Sequence, residues 1–382
     1  MESRRLRGGM VGGAAGSFIG PVHRMAAIMD GEAEWVAGCF SSKSAKSRKT
    51  GKAIYLDPKR IYSTYREMVK KEAKLPADER IDFVSIVTPN SSHVKIARTF
   101  LEAGFNVILD KPMAMSLKEA KELRRVVGKS KKVFALTHNY TGYPMVKQAR
   151  WMIRKGMIGT IRKIMVEYPQ GWMSRFKPAA AKKRWRTVPK EAGASCCMGD
   201  IGTHAENLVR YITGLKIQEV CAELTSHIPR CRLDHDGNVL VRYKGGAKGV
   251  LVASQISTGE ENGFNIRIYG TKAGLYWNQE DPNYLHLKEP WGTRTVYSKG
   301  NPCLCAEAQA TGRLPFGHPD GFIEAFANIY LEAFKAIRAE LAGKRIPKCD
   351  FPTVEDGVVG NAFIETVVAS AASSRKWTKM KS

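Results

Sequence analysis

The sequence predicts a two-domain chain: an N-terminal α/β domain on a parallel sheet, followed by an α+β domain with a large, mostly antiparallel sheet. Three observations lead there. Short apolar strands alternate with amphipathic helices through the first third, as repeated βα units require. After about residue 140 strand-like segments crowd together instead. The length of 382 residues leaves ample chain for two cores. The expected domains are 1–137 and 138–382.

The elements follow in order. Gly9–Val11 reads as a short strand, Pro21–Met29 as a helix stopped near Gly31, and Glu34–Phe40 as a second strand. A basic stretch leads to the apolar run Ile81–Val87. The helix His93–Ala103 sets Val94, Ala97 and Leu101 on one face and ends at Gly104. Strand Asn106–Leu109 precedes a helix opened by the capping-box pattern Ser116-Leu117-Lys118-Glu119, and Val133–Leu136 is a further strand. Helix Met145–Arg154, a loop-rich region to about residue 198 and a helix His204–Thr213 follow. Strands are then expected at Glu219–Thr225, Val239–Tyr243, Gly249–Ser257, Phe264–Tyr269 and Gly274–Trp277. Gly245-Gly246 is a hairpin signal between the second and third of these. Phe322, Phe326, Ile329, Leu331 and Phe334 mark the helix Gly321–Ala342 as core.

Composition excludes several classes. Hydrophobic residues at 43% and charged residues at 25% rule out wholesale disorder and fibrous repeats. No apolar run approaches the roughly 20 residues of a spanning helix. Five of the nine residues from Gly8 to Gly16 are glycine, so the stretch after Arg4-Arg5 lacks the apolar core of an export signal. The eight cysteines show neither CxxC pairs nor zinc spacing, which predicts free thiols, no metal and a cytoplasmic protein. The odd feature is a net charge of +25, which invites a polyanion or an acidic ligand.

The first strand runs into Gly12-Gly13-Ala14-Ala15-Gly16-Ser17-Phe18-Ile19-Gly20 and a helix. Glycines let a backbone approach phosphates, and free N–H groups at a helix start point at them. The spacing is not GxGxxG, but its place in the first βαβ unit favours a Rossmann dinucleotide site at Gly12, Gly13, Gly16, Ser17, Phe18 and Ile19. An acid at the end of the second strand would hold the ribose hydroxyl of NAD. Ser41, Ser42 and Lys43 stand there instead and suit a 2′-phosphate, which favours NADP(H) over NAD(H).

Three strand ends are polar: Thr88-Pro89-Asn90, Asp110-Lys111-Pro112 and Thr137-His138-Asn139-Tyr140. Ligands of open parallel sheets bind at that edge. Lys111-Pro112 puts a cation at a bend that admits a cis bond. In the second domain, Asp200 and His204 sit four apart at a helix start, a carboxylate beside an imidazole. A capping Asp with an incidental His is the plainer alternative, and no third ligand supports a metal.

With these motifs the chain resembles the glucose–fructose oxidoreductase, inositol dehydrogenase and MocA (Gfo/Idh/MocA) family over nearly its full length. Asp110 replaces the usual Glu of the family's Glu-Lys-Pro. Gly193-Ala194-Ser195-Cys196-Cys197-Met198 replaces its small-residue run, which implies thiols near the site without a catalytic role. The resemblance implies catalytic Lys111, Asp200 and His204: His204 as general base, Asp200 orienting it or the substrate, Lys111 polarising the reacting oxygen. It implies cofactor contacts from Thr88, Pro89, Asn90, His93, Asp110, Lys111 and Asn139, and a homodimer or homotetramer. The implied reaction is NAD(P)-dependent hydride transfer at a carbinol or keto carbon of a sugar, sugar derivative or cyclitol.

On the substrate side stand Tyr140, Gln170, Trp172, Trp185 and Arg186 with Asp200 and His204. Aromatic faces beside amides suit a sugar, and the seven basic residues between Arg175 and Lys190 suit an acidic one. A solvated loop anchored by its tryptophans is an equal alternative. One rival function is redox-assisted glycoside cleavage with tightly bound NAD(H). A basic nucleic-acid binder is a weaker rival, for no nucleic-acid motif is present, and a cofactor binder without catalysis ill fits the three retained residues.

Overall fold

The computed structural model describes residues 4–177 and 184–382. The chain forms two compact units. The first comprises Met1–Ala114, Lys118–Asn139 and Phe322–Val358, and the second Met115–Leu117, Tyr140–Gly321 and Val359–Ser382. Phe322–Val358 lies in the sequence expected for the second domain, yet it clusters with the first unit. The reason is the apolar face of its helix, Phe322–Leu341. Phe326, Tyr330 and Phe334 are buried with Val22, Phe83 and Ala135 in one core cluster. Lys182 and Lys183 of the basic loop lie outside the described residues.

The first unit is built on β1 (Leu6–Gly12), α1 (Ile19–Ile28), β2 (Ala33–Cys39), α2 (Ser44–Ala53), α3 (Tyr65–Glu72), β3 (Phe83–Val87), α4 (His93–Glu102), β4 (Asn106–Leu109), α5 (Leu117–Ser130) and β5 (Phe134–Leu136). The sheet order is β2-β1-β3-β4-β5, all parallel. Order reverses beside β1, which opens the ligand crevice of such folds at its carboxyl end. Both α2 and α3 fall in the basic stretch. Helix α2 buries only Ser47, Thr50 and Gly51, so no apolar periodicity announces it.

The second unit begins with α6 (Pro144–Arg154) and β6 (Ile161–Pro169) and continues through α7 (Thr203–Thr213). Then come β7 (Ile217–Thr225), β8 (Asp236–Tyr243), β9 (Lys248–Ser254), β10 (Asn265–Gly270), β11 (Gly274–Asn278), β12 (Tyr284–Lys288), β13 (Arg294–Ser298) and β14 (Thr378–Lys379). They form one nine-stranded sheet, β13-β12-β11-β10-β6-β9-β8-β7-β14, in which only β6 and β9 run parallel. Helices α6 and α7 pack against it. Strand β6 lies in the stretch expected to be loop. It opens on the exposed Arg162 and Lys163, and then buried Ile164, Val166 and Tyr168 alternate with half-exposed Met165 and Glu167.

The glycine loop is set by close packing of β1 on α1. A Cβ on Gly20 would lie 2.4 Å from the Gly13 Cα, and one on Gly13 would lie 2.9 Å from the Gly20 Cα. Gly20→Ala is expected to destabilise the protein by about 1–3 kcal/mol through this overpacking, read as a lower urea midpoint. Gly16→Ala has open space but a positive φ of 87° and should cost about 1 kcal/mol. Equal, negligible shifts in both variants would refute the close-packed crossing.

Candidate active site

The first unit supplies an anion cradle. Gly12, Gly13 and Gly16 all have positive φ, and a Cβ on Gly16 would meet nothing within 4 Å. Helix α1 starts behind them with no acidic residue in its first turn; Ser17 Oγ accepts from Gly20 N at 3.1 Å. Phe18 is exposed and Ile19 half-exposed. Two residues that sequence reasoning missed hold the loop from below. Arg24 donates to the Gly13 carbonyl at 2.8 Å, and Ala15 N donates to Thr50 Oγ1 at 3.2 Å. Neither belongs to a recognisable spacing. In register, β1 ends between Cys39 of β2 and Val87 of β3, so the cradle is flanked by Ser41–Lys43 on one side and Thr88–Asn90 on the other. Ser42 and Lys43 are exposed and Ser41 half-exposed.

The next strand ends are tied together. His93 is buried, with Nδ1 2.8 Å from the Pro112 carbonyl and Nε2 2.8 Å from the Thr88 carbonyl. Burial lowers its pKa against the pull of Asp110, and the neutral ring donates to one of these carbonyls at a time. His93 therefore braces the strand ends rather than presenting itself to a ligand. The Lys111-Pro112 bond is cis. Asp110 Oδ1 accepts from the Lys111 amide at 2.9 Å and Thr137 Oγ1 at 3.0 Å, and lies 3.9 Å from His23 Nε2. Asn90 is buried and Pro89 exposed; Ser92 Oγ donates to Thr88 Oγ1 at 2.7 Å. Asn139 Nδ2 is buried without a hydrogen-bond partner. An open glycine cradle, an uncharged helix start and an unused donor at one sheet edge fit a dinucleotide.

The second unit carries Asp200 and His204. Met198–Gly202 is a π-helical turn that runs into α7, a departure from regular winding often found at functional sites. Asp200 Oδ2 accepts from Gln255 Nε2 at 2.9 Å and from Arg186 Nε at 3.1 Å. His204 is buried, its ring edge-on to Tyr140 with centroids 4.8 Å apart. The Tyr140 and Tyr168 hydroxyls hydrogen-bond each other, and Tyr168 donates to Asn262 Oδ1 at 2.9 Å. Gln170 Nε2 donates to the same oxygen at 2.7 Å, while Gln170 Oε1 accepts from Trp172 Nε1 at 3.1 Å. Arg186 lies over Trp185 at 4.5 Å, and Trp185 packs against a cluster containing Met173, Ala192 and Cys196. Tyr140, Gln170 and Trp172 thus share one hydrogen-bonded chain, and Trp185, Arg186 and Asp200 share a second set of contacts.

Gln255 and Asn262 went unrecognised in the sequence. Gln255 is 55 residues from Asp200 and Asn262 is 94 from Tyr168, each in a segment with no motif. Gln255 also accepts from the Cys196 thiol at 3.4 Å. Burial, with the nearby Asp234 and Asp200 charges, pushes Cys196 and Cys197 upward, so both remain thiols. Among the described residues no group of three or more metal-ligating side chains occurs, and no helix is long and apolar enough to cross a membrane.

Residues 6–140 match the oxidoreductase family with an NAD-binding Rossmann fold, and residues 146–276 match the GFO/IDH/MocA C-terminal domain. The fold and these matches define an NAD-binding oxidoreductase. An uncharacterized oxidoreductase of Bacillus subtilis, YfiI, is 33% identical over 99% of this chain and 98% of its own length. An oxidoreductase from Sinorhizobium meliloti superposes with a TM-score of 0.88 at 42% identity, covering 98% of this chain and 99% of its own. An inositol dehydrogenase homolog from Azotobacter vinelandii, complexed with NADH and myo-inositol, gives 0.91 at 33% identity, covering 99% and 98%. The chain belongs to the Gfo/Idh/MocA family.

The Asp110 carboxyl carries a pH signature. Burial opposes its charge, but His23, Lys111 and His93 outweigh that and bring it from its ordinary 3.8 down to about 2. A carboxylate depressed on folding contributes stability in full above its unfolded pKa and loses it as pH falls through the folded one. About 2 kcal/mol should therefore disappear between about pH 4 and pH 2. Asp110→Asn is expected to flatten this part of the acid unfolding curve, followed by circular dichroism. An unchanged slope would refute the assignment.

Proposed function

We propose that the protein transfers hydride between a nicotinamide dinucleotide and a carbinol or keto carbon of a sugar, sugar derivative or cyclitol. The observation that carries this is the Asp200–His204 pair on one π-to-α turn, its carboxylate held by Gln255 and Arg186 and its imidazole held edge-on by Tyr140. The relative complexed with NADH and myo-inositol supports the substrate class. A dinucleotide held with its pyrophosphate in the glycine cradle would supply, through its nicotinamide, the hydride acceptor or donor. His204 takes the hydroxyl proton in oxidation and returns it in reduction. Asp200 fixes the imidazole or a substrate hydroxyl. Lys111 stabilises alkoxide charge as it develops. Gln170 and Trp172 offer amide and aromatic contacts to a polyol ring. Tyr140 and Tyr168 stay protonated because burial drives their pKa values up, and they act as hydrogen-bonding walls.

For the cofactor we favour NADP(H). No acid follows β2, and Ser41, Ser42 and Lys43 offer hydroxyls and a cation where a 2′-phosphate would sit. A homodimer or homotetramer is part of the same reading.

A screen at 340 nm over sugars, cyclitols and uronates with NAD and NADP tests it. Lys111→Ala and His204→Ala should each lower kcat by about 10²–10⁴-fold, with nucleotide affinity within a few-fold of wild type. Near-normal turnover in both variants would sink the roles. Lys43→Ala should weaken NADP(H) about tenfold and leave NAD(H) unchanged; equal effects on both would remove the NADP preference. Aglycone release without lasting absorbance change would favour redox-assisted glycoside cleavage instead.

A further inference from the structure

We propose that Asp234, on the segment between β7 and β8, is the positioning residue that aims Asp200 and His204, an inference that rests on the reaction proposed above. Asp234 is 6% exposed. Its Oδ2 accepts from Met198 N at 2.8 Å and from Ser195 Oγ at 2.9 Å, and its Oδ1 accepts from Cys196 N at 3.0 Å. Its backbone carbonyl takes the intervening amide, Cys197 N, at 3.1 Å. Ser195 Oγ, so held, accepts from Gly199 N at 2.9 Å. Four consecutive amides ahead of Asp200 therefore end on Asp234 or on the hydroxyl it fixes.

A buried carboxylate is costly unless its charge is answered. Here no cation is paired with Asp234 among the described residues; backbone and hydroxyl donors answer it instead. Their geometry fixes the direction in which the π turn leaves residue 199, and so where Asp200 and, one turn on, His204 fall. The adjacent residue completes the device. The His235 carbonyl accepts from Gln255 N at 2.9 Å, and Gln255 Nε2 is the donor to Asp200 Oδ2. One dipeptide thus sets both the backbone that carries the Asp200 carboxylate and the amide that orients it.

An asparagine at this position is nearly isosteric but turns one acceptor into a donor facing backbone N–H groups. Asp234→Asn should lower kcat about 10–100-fold, the scale of a displacement near 1 Å, with KM and NADPH affinity, read by fluorescence, within about threefold of wild type. Introduced into an Asp200→Asn background, it should cost several-fold less than it does alone, because one of the two groups it aims has already lost its carboxylate. The same fold-loss in both backgrounds, or losses of kcat and NADPH affinity in step, would overturn the proposal. The decision rests on Asp234→Asn, not on Asp234→Ala, which also removes the acceptors that the buried amides need. If the wild type turns over no sugar or cyclitol, the proposed reaction fails. The positioning role is then read from crystal structures of wild type and Asp234→Asn. An Asp200 Oδ2 to Gln255 Nε2 separation unchanged between them would overturn it, and a broken contact would support it.

Discussion

The arrangement in the second unit depends on how the chain satisfies the amides that precede α7. A helix start leaves N–H groups without internal acceptors, and a π turn at that start moves them further from regular partners. These amides are buried here, where an unpaired donor costs on the order of 1–3 kcal/mol. Asp234 takes three of them, Ser195 Oγ takes Gly199 N, and Asp200 N donates to the Cys196 carbonyl at 2.8 Å. Satisfaction of backbone groups and placement of the reactive side chains are therefore one constraint. Small residues follow from it: a Cβ on Gly202 would lie 2.4 Å from the Met198 sulfur, and one on Gly237 2.5 Å from the Met198 Cε.

The sequence made legible what is local. The βα rhythm, the glycine loop, the three polar strand ends and the four-residue spacing of Asp200 and His204 all lie within windows of a few residues. Their readings as elements agree with the structure to within a few residues, except where a surface hides them. Helix α2 has no apolar face to betray it, and β6 is half charged. What stayed illegible is distant. Gln255 and Asn262 meet Asp200 and Tyr168 from 55 and 94 positions away. Helix Phe322–Leu341 shows its apolar stripe plainly, but nothing in the stripe says which sheet it covers. Where it packs, its Tyr330 hydroxyl lies 2.8 Å from Ser85 Oγ and 2.7 Å from His23 Nδ1 inside the first unit.

The excess positive charge finds a partial explanation on the surface. Residues 41–80 carry 12 basic and 5 acidic residues. Several of these cations are committed: Arg60 pairs with buried Glu72 at 2.5 Å, and Lys71 with Glu67 at 2.8 Å. Lys43, Lys46 and Lys49 remain exposed near the end of β2. On the substrate loop, Arg186 is engaged by Asp200 and stacked on Trp185, and Arg184 lies over Phe176 at 5.6 Å. Charge spent on intramolecular carboxylates and aromatic faces is charge a polyanion does not need to explain.

Asp110 shows how a carboxylate holds its own strand end without a hydrogen bond to the histidine that faces it. Its carboxylate is bonded to the Lys111 amide and to Thr137. His23 Nδ1 then turns to Tyr330 and Ser85, and its Nε2 faces Asp110 at 3.9 Å, beyond a hydrogen bond. The carboxylate and imidazole still feel each other through a low-dielectric interior, but the tie is electrostatic, without a shared proton. The backbone at Lys111 is thus held by the carboxylate of the preceding residue, while His23 fastens the returning helix to the sheet below. Separating the two tasks lets the strand end keep its geometry independently of the helix that packs beneath it.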